Sequence, residues 1–340
     1  MEASQQSTLG ARGKELARAV ARRFGYEIHP AGAAMPGPDP SQVSIPRGRD
    51  ERFEVEGEYE VLPRGRYDVV ARNYYSPIPD LELLPEDIWD RRSAAGGVDL
   101  QLDRAMETIE GELAPFIAEM DVPLSGPAPP GRFFLRNENY EAVDAELLYA
   151  MVRSRKPRRV LELGSGYTTL LIGDACRRNV AEGRPTEHIA FDPYPRAHIV
   201  GDGPPEPTVF EPISANDVPL DRFSELGTGD ILFVDTTHTV KLGSDVNHIV
   251  LDILPSLASG VLVHFHDIFI PWEYPRGWFE EMQYYWAEQY LLQAFLAFND
   301  SFEVVLPAMA VAREFPERLG AVVPSLAPGT SPGAFWIVRK

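Results

Sequence analysis

The chain has 340 residues, with 51 acidic against 32 basic side chains and a formal net charge of −19. So acidic a chain is a poor partner for nucleic acid, and no apolar run approaches the ~20 residues of a membrane span. The single cysteine excludes an intrachain disulfide. The arginine-rich residues 11–25 resemble a transit helix, but Glu2, Glu15 and Glu27 interrupt that pattern, so we expect an ordinary surface helix in a cytoplasmic protein.

The first 130 residues lack a clear repeating pattern. Residues 30–50 are rich in proline, glycine and serine, which predicts a loop, and an apolar stripe over 99–120 predicts a helix. The stretch SGPAPPG at 125–131 breaks the chain again. We therefore expect an accessory region at 1–130, which covers an acceptor or forms a homodimer surface, and a second domain at 131–340.

From residue 138 onward helices and strands alternate. Strands are expected at 159–163, 188–192, 208–213, 230–235, 260–267, 302–307 and 334–340. Helices are expected near 139–154, 168–180, 217–226, 244–257 and, rich in aromatic residues, 278–298. This alternation predicts an α/β fold, Rossmann-like, with a doubly wound sheet of seven strands.

The segment VLELGSGYTT at 160–169 is the most informative motif, because it reads as a buried strand entering a glycine turn and then a helix. Such turns bring backbone close to nucleotide-like ligands, so Gly164, Ser165 and Gly166 are candidate cofactor-binding residues. Glu162 would repel a pyrophosphate but can pair with the ammonium of a methionine moiety. We therefore expect S-adenosylmethionine (SAM) rather than NAD, whose fingerprint places a third glycine where this chain has Thr169.

The glycine turn and the order of elements over 131–340 resemble the class I SAM-dependent methyltransferases, in the small-molecule branch. The resemblance implies a C-terminal strand inserted antiparallel beside strand five. It also implies that Asp192, after strand two, binds the ribose hydroxyls, and that the residues after strand three, including Asn216 and Asp217, contact the adenine. Tyr140 and Asp144 lie on the helix that closes over the methionine end in this family.

Five acidic or imidazole residues follow strands four and five, which are expected to be neighbours in the sheet. They are Asp235, His238, His264, His266 and Asp267. Asp235, at the end of strand four, is also a candidate cofactor-binding residue. Methyl transfer is an in-line displacement, and a hydroxyl acceptor must also lose a proton.

These residues suit two chemical roles, general base or metal ligand, or else a structural role alone. Either His266 or His238 acts as a general base, with Asp235 beside it, or Asp235, His266 and Asp267 bind a divalent metal. The catechol-type O-methyltransferases resemble the second case, but they carry Asp-Asn where this chain has His266-Asp267, which favours Mn, Fe or Zn over Mg²⁺. In the third interpretation the histidines only complete hydrogen bonds at the strand ends and take no part in chemistry.

Together these features predict a SAM-dependent methyltransferase that acts on a small-molecule acceptor, at a hydroxyl oxygen. A methyltransferase-fold scaffold without catalysis and an NAD-dependent oxidoreductase are the alternatives. No pattern in the sequence identifies the acceptor.

Overall fold

The computed structural model describes residues 76–126, 131–195 and 208–340. These residues divide into two units, one with 76–88 and 275–285 and the other with the remainder. Within the smaller unit Arg276 forms ion pairs with Glu86 and Glu280. The predicted surface helix at 11–25 and the predicted loop at 30–50 lie outside the described residues, and the division into 1–130 and 131–340 stays a prediction.

Seven strands of the larger unit form one sheet in the order β3-β2-β1-β4-β5-β7-β6. The strands are β1 Arg159–Leu163, β2 Glu187–Phe191, β3 Thr208–Glu211, β4 Ile231–Val234, β5 Leu262–Phe265, β6 Phe302–Pro307 and β7 Phe335–Arg339. β1 to β5 pair in parallel, whereas β7 lies antiparallel between β5 and β6. The predicted fold class, including the antiparallel C-terminal strand, is confirmed.

Helices account for most of the remaining regular structure. They are α1 Leu102–Thr108, α2 Ala114–Glu119, α3 Asp144–Arg155, α4 Tyr167–Ala181, α5 Leu220–Ser224, α6 Asp245–His248, α7 Leu254–Ser256, α8 Arg276–Glu280, α9 Glu288–Leu296, α10 Ala308–Glu314 and α11 Pro316–Val322. One π-helical turn, Ile109–Leu113, joins α1 to α2, and another, Ile249–Ile253, joins α6 to α7. In the described residues no helix is long and apolar enough to cross a bilayer.

The aromatic helix expected at 278–298 is two shorter helices, α8 and α9, which belong to different units. Gln283 between them has a φ of 57°, in the left-handed region that an α-helix cannot include. The periodic aromatic residues continue across this break, so the pattern alone predicted one helix where the backbone forms two.

Side chains from the two faces of the sheet form separate buried clusters. Val160 and Phe233 join one cluster, with residues of α1 to α4, and Leu161 and Leu232 join the other. Alternate residues of a strand point to opposite faces, so each central strand contributes to both cores.

The carboxyl ends of β1, β4 and β5 lie at the same edge of the sheet, and the residues that follow them are in register. The amide of Asp235 donates to the carbonyl of Leu163 at 3.0 Å, and the amide of His266 donates to the carbonyl of Val234 at 3.0 Å. The side chains that follow these strands therefore lie next to one another, at the edge where α/β sheets bind ligands.

Candidate functional site

The glycine turn after β1 packs directly against the end of β4. Gly164 has a φ of 88°, and a Cβ at this position would lie 1.8 Å from the carbonyl oxygen of Asp235. Only glycine fits such a close approach. Gly166 differs, since a Cβ there would meet no atom of the described residues within 4 Å. Its amide donates to Thr169 Oγ1 at 3.0 Å.

Glu162 is fully buried beneath the turn. Its Oε1 accepts from the Thr168 hydroxyl at 2.6 Å, and its Oε2 accepts from His188 Nε2 at 3.0 Å. The Nδ1 of His188 bonds the Thr208 hydroxyl at 2.8 Å. This chain of hydrogen bonds crosses β3, β2 and β1 and reaches α4.

The predicted pairing of Glu162 with a ligand ammonium stays a prediction, and the carboxylate also has a role within the fold. Both carboxylate oxygens already have protein partners, and no part of the side chain is exposed. The carboxylate supports the turn from below, because a buried carboxylate must be hydrogen-bonded. Sequence analysis missed His188, which the pattern of β2 presents as an ordinary strand residue.

Asp192 follows β2 and bonds to the glycine turn, while its binding of the ribose hydroxyls stays a prediction. Its Oδ2 accepts from the Ser165 amide at 3.0 Å and from the Ser165 hydroxyl at 2.8 Å. The carboxylate is half-buried, so it keeps a face towards solvent. Asn216 and Asp217 lie exposed in the short turn after β3, with Asn216 Nδ2 donating to the carbonyl of Gly243 at 3.3 Å.

Three side chains after β4 and β5 converge at the same edge of the sheet. Asp235, His238 and Asp267 each offer one ligand atom, and these atoms lie within 4.8 Å of one another. His238 Nε2 lies 3.2 Å from Asp235 Oδ1 and 3.6 Å from Asp267 Oδ2. His238 and Asp267 both have left-handed backbone, with φ of 54° and 58°. Such strain at a cluster of polar groups is typical of functional sites.

The predicted metal set, Asp235, His266 and Asp267, differs from this cluster by one histidine. His266 Nδ1 lies 3.6 Å from Asp235 Oδ2 and 3.5 Å from Asp267 Oδ1, and this nitrogen makes no hydrogen bond within the part of the chain that the structure describes. Its Nε2 lies 3.6 Å from Asp144 Oδ2. His238 takes the central place because the loop after β4 turns back towards β5, a turn that spacing in the sequence does not reveal.

Asp144 and His264 complete the surroundings of His266 without facing the cluster themselves. The carboxylate of Asp144 accepts from the amides of Gly333 and Ala334 at 2.8 and 3.0 Å, so it fixes the start of β7. His264 is fully buried, and its Nε2 bonds the Tyr140 hydroxyl at 3.2 Å. Burial, together with the charge of His266, lowers the pKa of His264 well below its usual value. His264 is therefore a neutral core residue.

Electrostatics in the cluster favour protonated imidazoles beside ionised carboxylates. Burial opposes the charge on His238, but hydrogen bonds to Asp235 and Glu288 outweigh it and raise the pKa of His238 to about 10. Burial likewise opposes the charge on His266, but Asp267 and Asp235 raise the pKa of His266 well above its usual value. Burial raises the pKa of Asp267 to about 6, even though both imidazoles oppose the rise.

Glu288, at the start of α9, is the second residue that sequence analysis missed. It is 1% exposed, and its Oε2 lies 2.8 Å from His238 Nδ1. Fifty positions separate the two residues, and a single glutamate at a helix start is no signal for such a contact.

Residues 161–268 match the family model described as a methyltransferase domain. With the strand order above, this match over part of the chain is consistent with the class I SAM-dependent methyltransferase family predicted from the sequence. No curated protein sequence matches the chain significantly.

Solved structures similar to this chain include proteins described as methyltransferases. One is a putative methyltransferase from Thermobifida fusca YX, with 18% identity and a TM-score of 0.35, covering 74% of this chain and 96% of that one. Another is a putative S-adenosylmethionine dependent methyltransferase from Listeria monocytogenes, with 11% identity and a TM-score of 0.31, covering 57% and 95%. A third is the citrinin polyketide synthase CMeT domain, with 16% identity and a TM-score of 0.29, covering 57% and 50%.

Proposed function

We propose that this protein transfers the methyl group of SAM to a hydroxyl oxygen of a small-molecule acceptor, with a divalent cation held by Asp235, His238 and Asp267. The observation that carries the proposal is the contact between the glycine turn and Asp235, where a Cβ on Gly164 would lie 1.8 Å from the Asp235 carbonyl. The turn that would hold the cofactor is therefore in direct contact with Asp235, a member of the cluster that would hold the acceptor.

The donor set supports a cation. Two carboxylates and one imidazole offer mixed oxygen and nitrogen ligands, which suit Mn, Fe or Zn. When bound, such a cation lowers the pKa of a coordinated hydroxyl and so eases loss of its proton. Asp235 and Asp267 would orient the cation from the ends of β4 and β5, and His238 would supply the nitrogen.

The alternative in which His238 or His266 removes the acceptor proton has less support. A general base must be unprotonated, whereas neighbouring carboxylates raise the pKa of His238 to about 10 and that of His266 well above its usual value. The carboxylates that hold the proton on His238 would also attract a cation, which would replace the Nε2 proton and leave His238 as a neutral ligand. His266 would then stabilise the two carboxylates by its positive charge.

An NAD-dependent oxidoreductase is disfavoured by the turn itself. A pyrophosphate needs free backbone amides at the start of the helix, but the amide of Gly166 already donates to Thr169 Oγ1 at 3.0 Å. The buried carboxylate of Glu162 beneath the turn also disfavours a phosphate above it.

Labelled methyl transfer from SAM to a panel of small hydroxyl compounds tests the proposal, with EDTA-treated protein and with Mg²⁺, Mn²⁺ or Zn²⁺ restored. We expect transfer to oxygen that needs the metal and is lost in Asp235→Asn. The exposed Asp252, which pairs with His248 at 2.9 Å, provides a matched control, and Asp252→Asn should keep full activity. Transfer that persists in EDTA, or that reaches only nitrogen or carbon, would contradict the proposal.

A further inference from the structure

Glu288 is a buried acidic residue that has no part in the proposed methyl transfer or in holding the cation. The side chain is 1% exposed, Oε2 lies 2.8 Å from His238 Nδ1, and Oε1 is buried without a hydrogen-bond partner among the described residues. A buried carboxylate oxygen without a partner costs stability, so a structural role alone would not favour glutamate here.

The start of α9 holds His238 by its main chain as well as by its ring. The amides of Ala287 and Glu288 both donate to the His238 carbonyl, at 3.0 and 3.2 Å. The ring of Trp286 lies 4.3 Å from the imidazole, measured between centroids. With the backbone and one face of the ring fixed, the bond from Glu288 to Nδ1 decides which way Nε2 points.

Nε2 points at the two carboxylates of the cluster, 3.2 Å from Asp235 Oδ1 and 3.6 Å from Asp267 Oδ2. When a cation replaces the proton on Nε2, the ring becomes neutral and keeps its one N–H on Nδ1. An acceptor on Nδ1–H then strengthens Nε2 as a ligand.

We propose that Glu288 is a positioning residue, which fixes the ring and tautomer of His238 so that Nε2 is offered to a divalent cation together with Asp235 and Asp267. This inference rests on the metal site of the proposed function. It adds a residue from a distant helix, which does not itself touch the cation.

Mn²⁺ binding by the full chain tests this inference without measuring turnover. Calorimetry gives the affinity, and electron spin-echo spectroscopy detects an imidazole nitrogen bound to Mn²⁺. We expect Glu288→Ala to weaken Mn²⁺ binding about 10–100-fold and to reduce the nitrogen signal. Glu288→Gln keeps a carbonyl acceptor for Nδ1–H, so its loss should be smaller than that of the alanine variant.

The matched control is Asp252→Ala, which removes the carboxylate from an exposed histidine pair and should leave Mn²⁺ affinity unchanged. If Glu288→Ala does not fold, as judged by circular dichroism, Glu288→Gln decides. A folded variant that binds Mn²⁺ as tightly as the unchanged protein, with the same nitrogen signal, would overturn the proposal. Absence of Mn²⁺ binding by the unchanged protein would also overturn it, while SAM binding by the same sample shows whether a methyltransferase remains.

Discussion

Substitution by alanine should destabilise the protein at one glycine of the turn after β1 and not at the other. In Gly164→Ala the new Cβ would lie 1.8 Å from the backbone oxygen of Asp235, which cannot rotate away. Left-handed backbone costs alanine about 1–2 kcal/mol. Overpacking adds about 1–3 kcal/mol, so we expect the free energy of unfolding to fall by about 2–5 kcal/mol.

Gly166→Ala is the internal control for that prediction, since its Cβ would meet no atom within 4 Å in residues 76–126, 131–195 and 208–340. The free energy of unfolding should change by no more than about 0.5 kcal/mol. If the open space over Gly166 receives the cofactor, SAM affinity should fall although stability does not.

Urea unfolding followed by fluorescence measures both stabilities, and calorimetry measures SAM affinity. The reasoning would be refuted if Gly164→Ala were as stable as the unchanged protein. It would also be refuted if Gly166→Ala lost as much stability as Gly164→Ala, because the difference in space is the whole basis of the prediction.

Three further changes probe other parts of the site. Glu162→Gln puts an amide where both oxygens accept hydrogen bonds, so urea unfolding should show a loss of about 1–3 kcal/mol. Gly333→Ala places a Cβ 2.9 Å from the Asp267 Cα and should weaken Mn²⁺ binding in calorimetry; unchanged affinity would contradict the proposed ligand. Burial, with a contribution from Glu162, raises the pKa of Cys176 to about 12, so at mildly alkaline pH a thiol reagent should label only the unfolded protein.

The sheet could be predicted because its strands are short, apolar and separated by helices of regular period. β4 is buried along its whole length, and a run of this kind is typical of a parallel strand covered on both faces. The antiparallel place of β7 came from the family resemblance, not from the strand's own residues. The break at Gln283 was missed because apolar and aromatic periodicity continues across it while the backbone enters the left-handed region.

The grouping of these side chains could be predicted because residues that follow neighbouring parallel strands meet at one edge. Sequence could not show which histidine joins Asp235 and Asp267, since that depends on the left-handed turn at His238. It also could not show that His188 and Glu288 complete the hydrogen bonds of Glu162 and His238, respectively. Such contacts depend on packing between elements, which no local pattern encodes.

Calorimetric titration with SAM, and separately with NADH, tests the central claim most directly. We expect SAM to bind with micromolar affinity and NADH not to bind. SAM binding should be weaker in Asp192→Ala, because the Asp192 carboxylate holds Ser165 in the glycine turn. Glu162→Ala should also weaken binding, through loss of the support beneath the turn. Binding of NADH in place of SAM, or of neither, would contradict the account.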